Sequence, residues 1–365
     1  MDAVDALEGP HPGPAPPSPP APAVAATLQD VARLAGVSAK TVARALNGEP
    51  NVRDATRERV ARAAAALRFR PNRLARELRQ GARTGAVGLV IGGLENPFYS
   101  HLAAGVERAL RAEDLELVIA STDDDPERER AVVQTMLERR VRALLVVPVA
   151  EDHRYLEGER SAGTPLVFVD RPPTGLAADV VLWDNRTGVR QAVDALVAAG
   201  HRRIAVIADR IANFTARERL AAFREAARAH GLGLEPRLLV VDVHDVPAAR
   251  ATALRLLAAP EPPTAFFGLN NRITVGVVAA LLTTGGAQAV VGFDDFDLAE
   301  ALGTTVVAND PAAMGGRAGR LALARLAAGP GLPEQVLLPA TLVRRGSGER
   351  GPAAAAPSRA AAALA

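Results

Sequence analysis

Short apolar runs alternate with amphipathic stretches from Gly85 onward, and this alternation restricts the fold more than any other feature of the sequence. The apolar runs predict ten strands, at Ala86–Ile91, Leu115–Ala120, Ala143–Val149, Leu166–Val169, Val180–Trp183, Ile204–Ala208, Leu238–Val241, Ala265–Leu269, Ala289–Phe293 and Thr304–Val307. The amphipathic stretches predict helices such as Phe98–Ala112, Arg128–Arg139, Val189–Ala199, Ala216–His230 and Arg272–Leu282. Apolar strands joined through helices form parallel sheets that are covered on both faces. The pattern therefore predicts an α/β body with two doubly wound parallel sheets.

Polar residues directly follow four of the predicted strands. These residues are Asp170 and Arg171, Asp184 and Asn185, Asn270 and Asn271, and Asp294 and Asp295. Ligands of doubly wound folds bind at the carboxyl ends of the strands. We therefore expect a polar ligand site where these residues meet.

The stretch Thr27–Asn47 predicts two short helices joined by a tight turn. Thr27 and Ser38 are suited to cap the two helices, and Gly36 is suited to end the first one. A third helix is expected at about Arg53–Leu67, because two short helices bury little apolar surface alone. Helix, glycine turn and capped helix are typical of a helix-turn-helix, whose second helix enters the DNA major groove. The alternative is a small helical hairpin with a solvated basic face.

Basic charge is concentrated in this amino-terminal region. Residues 27–83 carry 13 basic and five acidic side chains, a formal charge of +8. Residues 1–26 and residues 84–365 each carry a formal charge of −3. A short, strongly basic module is expected of a domain that neutralises DNA phosphates.

Composition excludes several other classes of protein. The chain has no cysteine, which excludes disulfides, thiolate catalysis and Cys-ligated zinc. It has no apolar run of 18 residues, so no transmembrane helix is expected. Residues 1–26 are acidic and rich in proline and alanine, which indicates a disordered extension and not a secretion signal. Residues 346–365 are predicted to be a similar disordered tail. We expect a cytoplasmic protein.

Several motifs, in this order along one chain, resemble the lac repressor family of bacterial transcription regulators. They are DVARLAGVSAKTVARALNG, RPNRLARELR, NPFYSHLAAGVE, FVDR, WDNRTG, GHRRIAVIAD, TARERLAAFREA and VVGFDD, and they span about Thr27 to Arg345. The resemblance implies a sequence-specific repressor that binds a pseudo-palindromic operator as a homodimer at the nucleoid. It also implies a small-molecule effector, a sugar or related polyol, bound between two periplasmic-binding-protein-like subdomains. It implies no cofactor.

The resemblance also implies domain boundaries. The helix-turn-helix domain covers residues 27–70, and a hinge helix covers 71–83. The effector-binding and dimerisation domain covers 84–345. Its first subdomain is about 84–183 with 310–338, and its second is about 184–309 with 339–346.

Carried over to this chain, the family's DNA contacts fall on three groups of residues. Bases would be read by Ala39, Lys40 and Arg44, of which the arginine can bind a guanine through two hydrogen bonds. Phosphates would be contacted by Thr41, Asn47, Thr56, Arg73 and Arg76. Leu78 would be an apolar wedge in the minor groove. The alternatives are a cap or turn role for Thr41, Asn47 and Thr56, and packing within the hinge or dimer for Leu78.

The family's effector contacts fall on Asp170, Arg219, Asn270 and Asp294. Charged and amide groups of this kind can share hydrogen bonds with the hydroxyls of a sugar. Phe98 and Trp183 could add an apolar wall, although a core role is equally open for both. The chain departs from the family pattern at Asn271, where aspartate is common, which leaves the identity of the effector open.

The residues argue against two other classes of protein. A solute-binding transport protein shares the two-sheet body, but it would carry a secretion signal and would not carry a +8 module. A dinucleotide-dependent enzyme is disfavoured because Gly88, Gly92 and Gly93 lack the G-x-G-x-x-G spacing. The six histidines show no metal-ligand spacing, and no catalytic set of residues is apparent. We therefore predict a protein that is not an enzyme and binds no metal.

Overall fold

The computed structural model describes residues 26–46, 48–69 and 85–352. The chain divides into two compact units, Met1–Ala82 and Arg83–Ala365. Predictions for the amino-terminal extension, for Asn47, for the hinge at 71–83 and for residues 353–365 lie outside the described residues.

The described part of the first unit contains three helices, α1 (Leu28–Ala35), α2 (Ala39–Leu46) and α3 (Asp54–Ala66). Their bounds agree with the prediction to within about one residue at each end. The side chains of Val31, Val42 and Val60 are completely buried between the helices. Burial of one valine from each helix gives the unit its small apolar core.

The predicted caps of α1 and α2 are confirmed. Thr27 Oγ1 accepts a hydrogen bond from Asp30 N at 3.3 Å, and the Asp30 carboxylate accepts one from Thr27 N at 2.9 Å. Gly36 ends α1 with a φ of 63°, a left-handed conformation that favours glycine. Ser38 Oγ accepts a hydrogen bond from Thr41 N at 3.1 Å. These local bonds fix the angle at which α2 leaves the turn.

The second unit alternates strands and helices. Its strands are β1 (Ala86–Ile91), β2 (Glu116–Ser121), β3 (Leu144–Val146), β4 (Leu166–Val169), β5 (Asp179–Trp183), β6 (Ile204–Ile207), β7 (Leu239–Val240), β8 (Ala265–Gly268), β9 (Ala289–Phe293), β10 (Thr305–Ala308), β11 (Gln335–Leu338) and β12 (Thr341–Val343). Its α-helices are α4 (Pro97–Arg111), α5 (Pro126–Glu138), α6 (Glu157–Ser161), α7 (Asn185–Ala198), α8 (Phe214–Ala229), α9 (Val246–Leu257), α10 (Asn271–Thr284) and α11 (Pro311–Ala328). All ten predicted strands and all five predicted helices are present, with ends shifted by a few residues.

The strands form two sheets, as the alternating pattern predicts, and each sheet contains six strands. The first subdomain is built on the sheet β11-β5-β4-β3-β1-β2, in which every pairing is parallel. The second subdomain is built on the sheet β12-β10-β9-β8-β6-β7, in which only β12 runs antiparallel to its neighbour. The chain passes between the sheets after β5, after β10 and again between β11 and β12. Apolar clusters cover both faces of each sheet.

Five elements were not predicted, namely α6, α9, α11, β11 and β12. The strands β11 and β12 lie at sheet edges, and none of their residues is fully buried. Their apolar runs, at 336–338 and 342–343, are only three and two residues long, which is too short to predict a strand by itself. The helix α11 contains three glycines, which reduce helix propensity and weaken the prediction from sequence.

The tail prediction was wrong for residues 346–352. Ser347 is buried, its Oγ donates to Val290 O at 2.6 Å, and it accepts from Thr305 N at 2.8 Å. The imidazole of His201 is also buried, and its Nε2 lies 2.6 Å from Arg350 O. The small polar residues of this segment are typical of disordered tails, and this composition led to the wrong prediction. In the structure they form hydrogen bonds with backbone groups at the edge of the second sheet.

A chain that ends at Arg345 is expected to be less stable than one that ends at Pro352, by about 1–2 kcal/mol. Only the shorter chain loses the two buried hydrogen bonds of the Ser347 hydroxyl. Urea unfolding followed by circular dichroism measures the difference. Equal stability of the two truncated proteins would contradict the structural role of residues 346–352.

Among the residues that the structure describes, no helix combines the length and the apolar character needed to cross a bilayer.

Candidate functional site

A cleft of about 360 Å³ lies between the two subdomains, at the carboxyl ends of the strands of both sheets. Its position agrees with the prediction from the polar residues that follow the strands. Its walls combine acidic, basic, amide and aromatic side chains. The lining residues are Gly92, Gly93, Leu94, Glu95, Asn96, Phe98, Tyr99, Asp123, Asp124, Asp170, Arg171, Asp209, Arg210, Thr215, Arg219, His244, Asn270, Arg272 and Asp294.

Asp170 and Asp294 occupy equivalent positions in the two subdomains. Asp170 follows β4 and has a φ of 67°, and Asp294 follows β9 and has a φ of 64°. The amide of Asp170 donates to Val181 O at 2.9 Å, and that of Asp294 donates to Val307 O at 3.0 Å. A left-handed conformation is uncommon outside glycine, although aspartate adopts it more readily than most residues. The same backbone turn therefore places one buried carboxylate in the cleft from each sheet.

The guanidinium of Arg219, on α8, holds the carboxylate of Asp294. Arg219 Nη1 lies 3.0 Å from Asp294 Oδ2, and Nη2 lies 3.3 Å from Oδ1. Its Nε donates to Asn185 Oδ1 at 2.8 Å, and Nη1 also donates to Leu269 O at 2.8 Å. The guanidinium carbon stands 3.7 Å from the centroid of the Phe293 ring. A buried charge pair needs partners of this kind, because desolvation of each ion is otherwise unfavourable.

Arg171 forms a second charged group in the first subdomain. Its Nη1 lies 3.1 Å from Asp124 Oδ1, and its Nη2 lies 3.5 Å from the Tyr99 hydroxyl. Nη1 also lies 3.5 Å from Asn213 Oδ1, which belongs to the second subdomain. Arg171 is therefore one of the side chains that connect the two walls of the cleft.

A chain of polar groups holds Asn270 in place. Asn270 Oδ1 caps α10 by accepting from Ile273 N at 2.8 Å, and its Nδ2 donates to Asp209 Oδ2 at 3.0 Å. Asp209 Oδ1 lies 2.8 Å from His244 Nδ1. Asn270 thus combines the cap role with a place in the wall of the cleft.

The two aromatic residues predicted to form an apolar wall have different positions. Phe98 lines the cleft near the start of α4. Trp183 does not line it and is packed in the apolar core of the first subdomain, so its predicted ligand contact is not supported. Trp183 is the last residue of β5, and the alternation along that strand turns its side chain into the core.

Several lining residues were not among the predicted contacts. Tyr99, Arg171, Asp209 and His244 all line the cleft. Arg171 comes two residues after β4, and Asp209 comes two residues after β6, so both carried the signal that strand ends provide. Tyr99 lies in the family motif NPFYSHLAAGVE, next to the predicted contact Phe98, whereas His244 carried no pattern that separates a cleft residue from a surface residue.

Burial raises the pKa of the Asp170 carboxyl to about 6, although Arg171 and Arg219 favour its ionised form. The unfolded chain releases this proton near pH 4. Folding therefore takes up a proton between these two values, and this group makes the fold less stable as pH rises from about 4 through 6.

The wild-type protein is accordingly expected to lose stability relative to Asp170→Asn as pH rises through that window, with no further change above about pH 7. Urea unfolding of both proteins at a series of pH values measures the difference. A difference that is constant with pH, or that grows in favour of the wild type, would contradict the buried carboxyl.

The candidate DNA-contacting residues of the first unit differ in exposure. Lys40 is exposed, whereas Ala39 is half-buried and packs against the small core. Arg44 is half-buried, and its Nε lies 2.9 Å from Glu49 Oε2. Thr41 Oγ1 lies 2.9 Å from Ser38 Oγ, and Thr56 lies in the first turn of α3.

The predicted phosphate contacts Asn47, Arg73 and Arg76 and the predicted wedge Leu78 lie outside the described residues. Within 26–46, 48–69 and 85–352, no group of three or more His, Asp or Glu side chains has the geometry to hold a metal ion.

A three-helix unit with a basic second helix, next in sequence to a two-sheet unit with a polar cleft, defines a DNA-binding regulator that responds to a ligand. Comparison with known proteins specifies the family. Residues 27–72 match the lacI family of bacterial regulatory proteins, and residues 193–348 match a periplasmic binding protein-like domain. The chain belongs to the lacI family. It is a DNA-binding transcriptional repressor with an effector-binding domain, and it is not an enzyme.

Individual relatives cover most of the chain. It is 33% identical over 282 residues to the ribose operon repressor of Haemophilus influenzae, and the alignment covers 76% of this chain and 84% of the relative. It is 33% identical over 330 residues to the regulator PtxS of Pseudomonas plecoglossicida, covering 88% of this chain and 95% of the relative. The lac repressor dimer bound to operator and the anti-inducer ONPF is similar in structure, with a TM-score of 0.75 and 25% identity over 88% of this chain and 99% of that one. The complex of the regulator CelR with cellobiose has a TM-score of 0.65 and 30% identity, with the same coverage.

Proposed function

We propose that the effector of this repressor is a small neutral sugar, of which ribose is the first candidate, and that its binding in the cleft changes operator affinity. The observation that carries this proposal is the pair of buried carboxylates, Asp170 and Asp294, that enter one small cleft from opposite sheets. Carboxylates accept hydrogen bonds from hydroxyl groups. Two carboxylates on opposite walls of the cleft suit a ligand that carries hydroxyl groups on opposite sides. Ribose comes first because a ribose operon repressor is among the relatives.

The size and charge of the cleft support a neutral monosaccharide. A volume of about 360 Å³ lies near the lower end of ordinary ligand pockets. The cleft is lined by six carboxylates and four arginines, so it carries no excess positive charge for an anionic ligand. The arginines Arg171 and Arg219 are moreover bound to Asp124 and Asp294. A phosphorylated sugar would have to compete with these carboxylates for the same donors.

In this proposal Asp170, Arg219, Asn270 and Asp294 bind the hydroxyls of the sugar. Phe98 lies against an apolar face of the ring. An effector acts only through a difference in its affinity for two states of the protein. The effector therefore shifts the protein between a state with high and a state with low affinity for the operator.

Titration calorimetry with a panel of ligands tests the effector proposal. Binding affinities are measured for the wild-type protein and for the variants Asp294→Asn and Asp297→Asn. The ligands are ribose, other pentoses, hexoses, cellobiose and ribose 5-phosphate. The last variant is a control, because Asp297 is an exposed aspartate that does not line the cleft. We expect a neutral monosaccharide to bind the wild type and Asp297→Asn, and to lose roughly 100-fold in affinity with Asp294→Asn. Preference for ribose 5-phosphate, or equal affinity of both variants, would contradict the proposal.

We further propose that the repressor acts in the cytoplasm at the nucleoid, as a homodimer on a pseudo-palindromic operator. A lac repressor dimer bound to operator is among its structural relatives, which supports this arrangement. In each protomer Ala39, Lys40 and Arg44 read bases, and Thr41, Asn47, Thr56, Arg73 and Arg76 contact phosphates. Leu78 is the proposed minor-groove wedge. The proposed domains are 27–70, a hinge at 71–83, and an effector domain that extends beyond 345 to about residue 352.

The ion pair with Glu49 supports a base-reading role for Arg44. Because Glu49 engages Nε, the two terminal nitrogens of the guanidinium remain available for the two acceptors of a guanine. A side chain whose orientation is already restricted loses less conformational entropy when it binds. Arg44 is therefore better suited to reading a base than an arginine that moves freely.

Arg44→Ala is expected to weaken binding by about 1–3 kcal/mol at one base pair of each half-site and to relax the preference there. Arg62→Ala is the matched control, because it removes one positive charge from an exposed position on α3. The control should weaken binding to all sequences alike and reduce the dependence on salt. Binding to a library of single-base operator variants distinguishes the two results. A uniform loss with Arg44→Ala would show that the residue does not read a base.

A further inference from the structure

The mouth of the cleft contains a contact between two helix starts that belong to different subdomains. Asn96 is the N-cap of α4 in the first subdomain, and Asn271 is the first residue of α10 in the second. Asn271 Nδ2 donates a hydrogen bond to Asn96 Oδ1 at 2.9 Å. Asn271 is 4% exposed and does not line the cleft, so it acts beside the ligand and not on it.

Neighbouring backbone groups determine the orientation of both amides. Asn96 Oδ1 also accepts from Phe98 N at 3.1 Å, and Asn271 Oδ1 accepts from Arg272 N at 2.8 Å. Each side-chain oxygen must therefore face its own backbone amide. This leaves the Asn271 NH₂ group as the donor to Asn96. Neither amide can be turned over without losing a hydrogen bond at a helix start.

A second, weaker contact lies next to this one. Arg272 Nη2 lies 3.4 Å from Glu95 Oε2, but the Glu95 side chain is 86% exposed. Exposed ion pairs contribute little because water and salt screen them. The buried Asn96–Asn271 bond is therefore the stronger of the two contacts.

We propose that Asn96 and Asn271 are positioning residues that hold the two subdomains closed over the cleft and thereby set the affinity for the effector. The proposal rests on the effector-binding role of the cleft given above. A bond made only in the closed arrangement raises the population of that arrangement before any ligand binds. A ligand that binds the closed arrangement then binds more tightly, because less free energy is needed to reach it.

The geometry allows two nearly isosteric substitutions with opposite expected effects. In Asn271→Asp an oxygen replaces the donor, so a carboxylate would face the Asn96 oxygen and the bond would be lost. In Asn96→Asp the carboxylate still accepts from Phe98 N and from Asn271 Nδ2, and both bonds become charge-assisted. Aspartate is also favourable at the start of a helix in both places. Neither helix should therefore be destabilised.

The absence of cysteine makes the closed population measurable in the full-length protein. Ala131→Cys on α5 and Ala221→Cys on α8 place one spin label on an exposed position of each subdomain. Electron–electron double resonance then gives the distance distribution without ligand. The distance between the two labels differs between the closed and the open arrangement of the subdomains. We expect Asn271→Asp to increase the open population and Asn96→Asp to reduce it. Sugar affinity should fall about tenfold with Asn271→Asp and rise roughly threefold with Asn96→Asp.

Two further variants separate the hydrogen bond from charge. Glu95→Gln should change the ligand-free distances little, because its ion pair is exposed. Combining Glu95→Gln with Asn271→Asp restores the net charge of the mouth, but it should leave the open population as large as in Asn271→Asp alone. Restoration of the wild-type distribution would overturn the proposal.

The ligand-free distances also separate this proposal from the proposed effector. If the distances shift as expected but no sugar binds, the positioning role stands and the ligand class is wrong. If Asn271→Asp leaves the ligand-free distances as in the wild type, or if both substitutions shift them in the same direction, the positioning role is wrong whatever the ligand.

Discussion

Arg219→Met is expected to destabilise the second unit by about 3–5 kcal/mol and to abolish effector binding. The substitution removes the only arginine paired with the buried Asp294 in the described part of the chain, and it leaves the carboxylate with Asn309 as a neighbour. It also removes donors to Asn185 and to the Leu269 carbonyl. A buried charge or polar group without its partner costs the full free energy of its desolvation. Methionine keeps much of the length of the side chain, so the loss of charge dominates over a change of volume.

Arg186→Met is the matched control for this prediction. Arg186 pairs with Glu225 at the surface, where the two side chains are 58% and 69% exposed. Exposed pairs of this kind contribute at most about 1 kcal/mol. Urea unfolding and sugar titration of both variants compare a buried pair with an exposed one. A loss of less than 1 kcal/mol with Arg219→Met would show that the Asp294 pair does not organise the cleft.

Gly315→Ala and Gly316→Ala are expected to differ in stability by about 3 kcal/mol, although the two glycines are adjacent in α11. A Cβ on Gly315 would lie 2.0 Å from the carbonyl oxygen of Leu102 in α4, so the two helices would have to separate. A Cβ on Gly316 would lie 3.2 Å from the end of the flexible Arg320 side chain and 3.7 Å from the Gly105 carbonyl oxygen, which is an ordinary van der Waals distance.

The first substitution should therefore destabilise the protein by about 2 kcal/mol, because overpacking outweighs the gain in helix propensity. The second should stabilise it by up to about 1 kcal/mol, because alanine is the better helix former. Thermal unfolding of the two variants against the wild type measures both effects. If both variants were stabilised, the close approach of α4 and α11 would be wrong.

The sequence predicted the fold wherever apolar periodicity was strong. Fully buried strands such as β4 and β9 have continuous apolar runs, and their bounds were predicted closely. The edge strands β11 and β12 were missed because their apolar runs are only three and two residues long. Residues 346–352 were missed because their role depends on distant backbone groups, such as Val290 O and Thr305 N.

The candidate site was predictable to the extent that strand ends define it. Asp170, Asn270 and Asp294 follow strands, and the structure brings all three to one cleft. Arg219 lies inside α8, and its proposed role in effector binding comes from the family resemblance and not from its position in the sequence alone. The contact between Asn96 and Asn271 joins residues 175 positions apart, and no local pattern marks it. Pairings of this kind depend on how the two sheets pack, which periodicity does not encode.

Selection of bound DNA from a random duplex pool by the full-length protein, at about physiological salt, tests the account most directly. The selection is made with and without the sugar that binds the wild-type cleft. The same two selections are made with the Asp294→Asn protein. We expect the wild-type protein to retain one pseudo-palindromic sequence, to a different extent when the sugar is present, and Asp294→Asn to retain it equally in both conditions. Binding that is independent of sequence, sensitive to salt and unaffected by any sugar of the panel would contradict it.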